Sequence, residues 1–115
     1  MTAVPGISEV SATTAHRLAA EGHRILDVRE DDEWAAGHIA GAVHVPLMQI
    51  PARHAELDAD ADWLCVCKVG GRSFQATAYL ARLGLRIANV GGGMDAWAAA
   101  GLPVESSAGA PGRII

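Results

Sequence analysis

Short apolar runs alternate with helix-like segments along the chain, and this alternation narrows the choice of fold more than any other feature. Ile7-Ser8-Glu9-Val10, Arg24-Ile25-Leu26-Asp27-Val28, Ala42-Val43-His44-Val45, Trp63-Leu64-Cys65-Val66-Cys67 and Arg86-Ile87-Ala88-Asn89-Val90 have the length and β-branched content of strands. Between and after them the spacing predicts helices. One runs over 14–21, capped by Ser11 or Thr13, and one over 31–36, with acids in its first turn where the helix dipole favours them. The others run over 50–57, 73–83 and 94–100. Ala76, Leu80 and Leu83 share a face of the fourth, and Gly22, Gly37, Gly84 and Gly101 stand where helices should stop. Strands that alternate with helices build a mostly parallel sheet with both faces covered, so the expected class is α/β.

A chain of 115 residues makes one domain. Residues 1–104 are its expected extent. Residues 105–115, rich in Ser, Gly, Ala and Pro, are expected to be a flexible tail. The formal charge of −4 carries no basic stripe for a nucleic-acid backbone and no polybasic patch for an anionic membrane. Trp63 to Cys67 is far shorter than the ~20 apolar residues of a membrane span, and the N-terminus has no secretory pattern. Two cysteines at C-x-C spacing make no disulfide scaffold, so a reducing, cytoplasmic location is expected. His16, His23, His44 and His54 lack metal-ligand spacing, so no metal is expected.

Chemistry concentrates in Cys67-Lys68-Val69-Gly70-Gly71-Arg72-Ser73. A strand delivers a cysteine to its carboxyl end, a glycine-bearing loop follows, and a helix begins. Ligands of parallel sheets bind outside such strand ends. Converging loop N–H groups and a helix N-terminus form an anion cradle. Gly70 and Gly71 permit the left-handed backbone the cradle needs, and Lys68 and Arg72 add positive charge. These influences all favour the thiolate of Cys67 over an ordinary thiol, which titrates near ~8.5. A thiolate in an anion cradle attacks anionic electrophiles, and its product is either a persulfide or a phosphoryl cysteine. Cys65, inside the strand, reads as core.

In these residues the chain resembles a rhodanese-homology domain. The Cys67-to-Arg72 loop resembles the family's active-site loop, with Gly70 and Ser73 at its usual glycine and hydroxyl positions. Asp27-Val28-Arg29 with Glu33-Trp34-Ala35-Ala36-Gly37-His38-Ile39-Ala40-Gly41-Ala42 is similar to its N-terminal signature. Val90-Gly91-Gly92-Gly93-Met94-Asp95-Ala96-Trp97 with Gly101-Leu102-Pro103-Val104 is similar to its C-terminal one. The resemblance implies a central five-stranded sheet and sulfur transfer without a cofactor. Cys67 would take a sulfane sulfur from thiosulfate or a similar donor and pass it to cyanide, a thiol or a partner protein. Related cysteine-dependent phosphatases and arsenate reductases carry one more loop residue. Here Lys68 to Gly71 give the sulfur-transfer length.

The remaining polar residues have structural readings. Asp27 is expected to receive loop N–H groups or to pair with Arg72. Arg29 and Glu33, at i, i+4 spacing, are expected to form an ion pair. His38 is expected to make a structural hydrogen bond, and Trp34 and Trp97 are expected in the core.

Overall fold

A computed structural model describes residues 7–115. Five strands, β1 (Ser8–Val10), β2 (Arg24–Asp27), β3 (Val43–His44), β4 (Asp62–Val66) and β5 (Arg86–Val90), form one sheet in the order β1-β5-β4-β2-β3, with every pairing parallel. Each parallel neighbour needs a crossover, and five helices supply these and close the chain: α1 (Ala12–Ala20), α2 (Asp31–Ala36), α3 (Ile50–Arg53), α4 (Gly71–Arg82) and α5 (Gly93–Ala99). This is the α/β sheet expected from the sequence. No helix among the described residues is long and apolar enough to cross a membrane.

Strand alternation sorts the core into two layers, because successive side chains point to opposite faces. From β4, Trp63, Cys65 and Cys67 join Leu26, Val28, Val45, Ile50, Ala76 and Leu80 on one side of the sheet. Leu64 and Val66 join Ala12, Ala15, Ile25, Val90, Met94 and Trp97 on the other. β4 lies between β5 and β2, so its carboxyl end opens at the centre of one sheet edge.

Local chemistry explains the ends of the elements. Ser11 caps α1, its Oγ accepting the Thr14 N–H at 3.1 Å, and the helix begins at Ala12, before the predicted start. The helix predicted over 50–57 is instead one α turn between two 3-10 turns, Leu47–Gln49 and His54–Glu56. Only Ile50 and Leu57 of that stretch are buried, too few apolar residues to hold a longer helix against the sheet.

The sequence sets residues 105–115 apart from the domain, whereas the structure lays them along the end of α2. The Ser107 and Arg113 N–H groups donate to the carbonyls of Ala35 and Ala36 at 3.1 and 2.9 Å. His38 and Glu105 exchange two backbone hydrogen bonds of 2.9 Å. A helix leaves its last carbonyls unpaired, and any backbone N–H can satisfy them, so a polar composition does not exclude this docking. Trp34 is also not in the core. It is half-buried, stacked between His38 at 3.8 Å and His44 at 4.7 Å. Trp97 is buried, and its Nε1 donates to the Pro103 carbonyl at 2.9 Å.

Candidate active site

Cys67 lies just past the end of β4, and α4 begins four residues later at Gly71. The turn between them depends on Gly70, whose φ of 109° lies in the left-handed region that residues with a Cβ avoid. That turn directs the Gly70 N–H at Cys67 Sγ, 3.1 Å away, and Ser73 in the first helical turn brings its hydroxyl within 3.3 Å. The first-turn N–H groups of α4 have no partners inside the helix, and that of Ser73 acts on the same sulfur. Burial pushes the Cys67 thiol up. The Ser73 hydroxyl and the N–H groups of Ser73, Gly70 and Val69 outweigh it, and its pKa falls below the ordinary value. Cys67 itself exposes 0% of its surface, so the sulfur sits on the floor of the cradle rather than at its mouth. Val69, 63% exposed, stands on the rim.

The other end of the loop is held by α5. The Met94 and Asp95 N–H groups donate to the carbonyls of Cys67 and Lys68 at 2.8 and 3.0 Å. Such close approach requires Gly93, whose φ is 56°. A Cβ there would stand 2.6 Å from the Lys68 carbonyl oxygen and nearer still to that of Cys67. With their carbonyls turned to α5, the loop peptides present their N–H groups to the sulfur. Gly93 and Met94 were legible only as part of a resembling motif, and nothing local gave them this task.

Both loop cations are engaged by carboxylates. Arg72 donates from Nη1 and Nη2 to Glu33 Oε1 and Oε2 at 2.7 and 2.9 Å. Hydrogen bonding to Arg72 pulls the Glu33 carboxyl down to about 2, against an opposing contribution from burial and with help from the Glu30 N–H. The same pair raises the pKa of Arg72. Lys68 Nζ lies 3.2 Å from Asp95 Oδ1.

This pairing corrects two expectations. Arg29 does not pair with Glu33, and Asp27 does not pair with Arg72. Instead Asp27 and Arg29, both 0% exposed, bind each other, with Arg29 Nη2 to Asp27 Oδ2 at 2.8 Å and Nε to Oδ1 at 3.0 Å. The i, i+4 rule holds within a helix, and α2 starts only at Asp31, so Arg29 lies in the bend before it. A guanidinium sealed from water takes the carboxylate sealed beside it. Arg29 also donates to the carbonyls of Gly37 and Glu33, at 2.7 and 3.3 Å, which fastens the C-terminal turn of α2. His38 Nδ1 bonds the Trp34 carbonyl at 2.7 Å.

Cys65, two residues before Cys67 on the same face of β4, is fully buried, and burial pushes its thiol up. Both cysteines are free. The residue that sequence reasoning missed altogether is Asn89 on β5. It is 1% exposed and joins Ser73, Gly70 and Glu9 by hydrogen bonds.

The central strand of this parallel sheet leads to a buried thiol that the Gly70 N–H and the Ser73 hydroxyl approach. Residues 11–100 match the rhodanese-like domain. The chain is 38% identical over 112 residues to thiosulfate sulfurtransferase 16, chloroplastic, of Arabidopsis thaliana, covering 86% of this chain and 93% of that protein. It is 40% identical over 101 residues to a sulfurtransferase of Allochromatium vinosum, covering 86% and 94%. A rhodanese-related protein from Thermoplasma volcanium superposes with a TM-score of 0.81 at 31% identity, covering 84% of this chain and 96% of that one. The chain belongs to the rhodanese-like domain family.

Proposed function

We propose that the protein is a sulfurtransferase that carries a sulfane sulfur as a persulfide on Cys67, with thiosulfate or a similar anion as donor and cyanide or a thiol as acceptor. The observation that carries this reading is the convergence of the Gly70 N–H and the Ser73 hydroxyl on Cys67 Sγ. The thiolate attacks the outer sulfur of thiosulfate, an S–S bond forms, and the S–S bond of the donor breaks. Its electron pair leaves with sulfite. The charge that was on Cys67 Sγ now sits on the terminal sulfur, where the loop amides stabilise it as they would an oxyanion. The acceptor then takes the terminal sulfur, and Cys67 leaves as a thiolate.

Two displacements through one covalent intermediate give ping-pong kinetics. Because Cys67 exposes none of its surface, donor entry requires the residues around the sulfur to move aside. The free thiols suit a reducing compartment such as the cytoplasm.

The test is thiocyanate formation from thiosulfate and cyanide, with intact-mass detection of one added sulfur. Wild-type protein is expected to do both, and Cys67→Ser neither. Equal turnover in the two proteins removes Cys67 from the reaction. Sulfur loading from a cysteine desulfurase without thiosulfate turnover would make the protein a relay carrier instead.

A further inference from the structure

The hydroxyl of Ser73 has more acceptors around it than protons to give. Its Oγ lies 2.6 Å from Asn89 Oδ1 and 3.3 Å from both Cys67 Sγ and the Gly70 carbonyl oxygen. One hydroxyl donates one proton. The orientation of the buried Asn89 amide follows from its other neighbours. Nδ2 donates to Glu9 Oε2 at 2.9 Å and to the Gly70 carbonyl at 3.2 Å. A flipped amide would set its oxygen against both of those acceptors, so Oδ1 faces Ser73. At 2.6 Å the O–H···O bond belongs to Asn89, and the lone pairs of Ser73 Oγ are left facing the sulfur. That arrangement suits a protonated Cys67, whose S–H can donate to Oγ. A thiolate needs the hydroxyl turned toward it, and the turn leaves Asn89 Oδ1 buried without a donor.

We propose that Asn89 is a positioning residue that competes with Cys67 for the Ser73 proton, making this hydroxyl a two-position donor that follows the charge on the sulfur. Its timing rests on the persulfide reading above. The proton turns to Cys67 when the sulfur is the attacking or the leaving thiolate. It returns to Asn89 when the charge has moved out to the terminal sulfur and Sγ is neutral. Asn89 thereby restrains the resting sulfur and releases the hydroxyl when a thiolate forms. The charged and titratable groups around this network are Glu9 of β1 behind Asn89, Arg72 of α4, Lys68 of the loop turned to Asp95 of α5, and Cys65 of β4. All of them remain when Asn89 or Ser73 is replaced.

The test is a double-mutant cycle read by the pH dependence of Cys67 alkylation with iodoacetamide. The four proteins are wild type, Asn89→Ala, Ser73→Ala and the double variant. With Ser73 present, Asn89→Ala is expected to lower the apparent pKa of Cys67 by roughly 0.5 to 1 pH unit, the value of one released hydrogen bond. With Ser73→Ala, the same replacement is expected not to lower it. An equal shift in both backgrounds, or a rise with Ser73 present, overturns the proposal and leaves Asn89 a scaffold for the loop. Asn89→Leu keeps the volume without the polar atoms, carries the same expectation and serves if the alanine variant does not fold. Alkylation needs no sulfur donor, so this outcome is independent of whether thiosulfate is turned over.

Discussion

Glu33 on α2 receives both arms of the Arg72 guanidinium at 2.7 and 2.9 Å, which ties the start of α4 to a helix that precedes β4. The same Glu33 Oε1 also accepts the Glu30 N–H at 3.0 Å, so one carboxylate sets both the N-terminus of α2 and the side chain that closes the loop. The loop arginine is therefore a fastened element, and its charge reaches the sulfur from a fixed place.

Acid titration tests this link. The Glu33 carboxyl is held at about 2, below the 4.5 of a free glutamate, so its contribution to stability is complete above ~4.5 and is lost as the pH falls toward about 2. Glu33→Gln is expected to be less stable than wild type by about 1 kcal/mol at pH 7, a partly exposed pair being screened by solvent. Melting the two proteins between pH 7 and pH 2.5 should show that difference shrinking across the acid window. A constant difference would contradict it.

The buried Asp27–Arg29 pair predicts a larger effect. Arg29→Ala leaves a carboxylate sealed without its cation and removes the donor to Gly37, at a cost of about 3–5 kcal/mol. Urea denaturation should show a lower midpoint with an unchanged slope. Asp27→Leu combined with Arg29→Met should recover part of the loss.

Gly93 and Gly84 separate close approach from backbone conformation. Both have positive φ, 56° and 94°, but a Cβ at Gly84 meets nothing within 4 Å. Gly84→Ala should cost about 1 kcal/mol. Gly93→Ala should cost at least about 2 kcal/mol, because the Cβ overlaps the carbonyls of Cys67 and Lys68. It should also raise the pH at which Cys67 is alkylated, since the displaced loop no longer aims its amides at the sulfur. A normal alkylation profile in Gly93→Ala would remove α5 from the site.

The two thiols should react by different openings. Cys65 lies in the central strand of the sheet, and only global unfolding uncovers it, whereas Cys67 needs only a displacement of the loop rim. In native protein, peptide mapping after iodoacetamide should find label on Cys67 alone. The labelling rate of Cys65 should rise steeply with urea and that of Cys67 should not.

Much of this is legible in the amino-acid order. The strand over 63–67, the glycines after it and the helix beyond are local features, and the structure has a strand, a turn and a helix there. Asn89 carried no such signal. An asparagine on a strand is ordinary, and only the parallel neighbour relation of β4 and β5 sets it beside Ser73. Gly93 read only as part of a resembling motif, because the carbonyls it makes room for belong to a different strand–helix unit. The Arg29–Glu33 expectation failed because it applied a helical rule to a residue outside the helix.

Taken alone, the amino-acid order determined the alternation of strand and helix, the two-faced core and the cysteine followed by a glycine turn. These follow from periodicity and backbone conformational freedom, which act over a few residues. Only the folded chain decided which carboxylate holds which cation, and that Asn89 and Cys67 share a hydroxyl. Ion pairs and hydrogen bonds depend on distance through space, and distance along the chain says little about it once a parallel sheet has brought remote strands side by side.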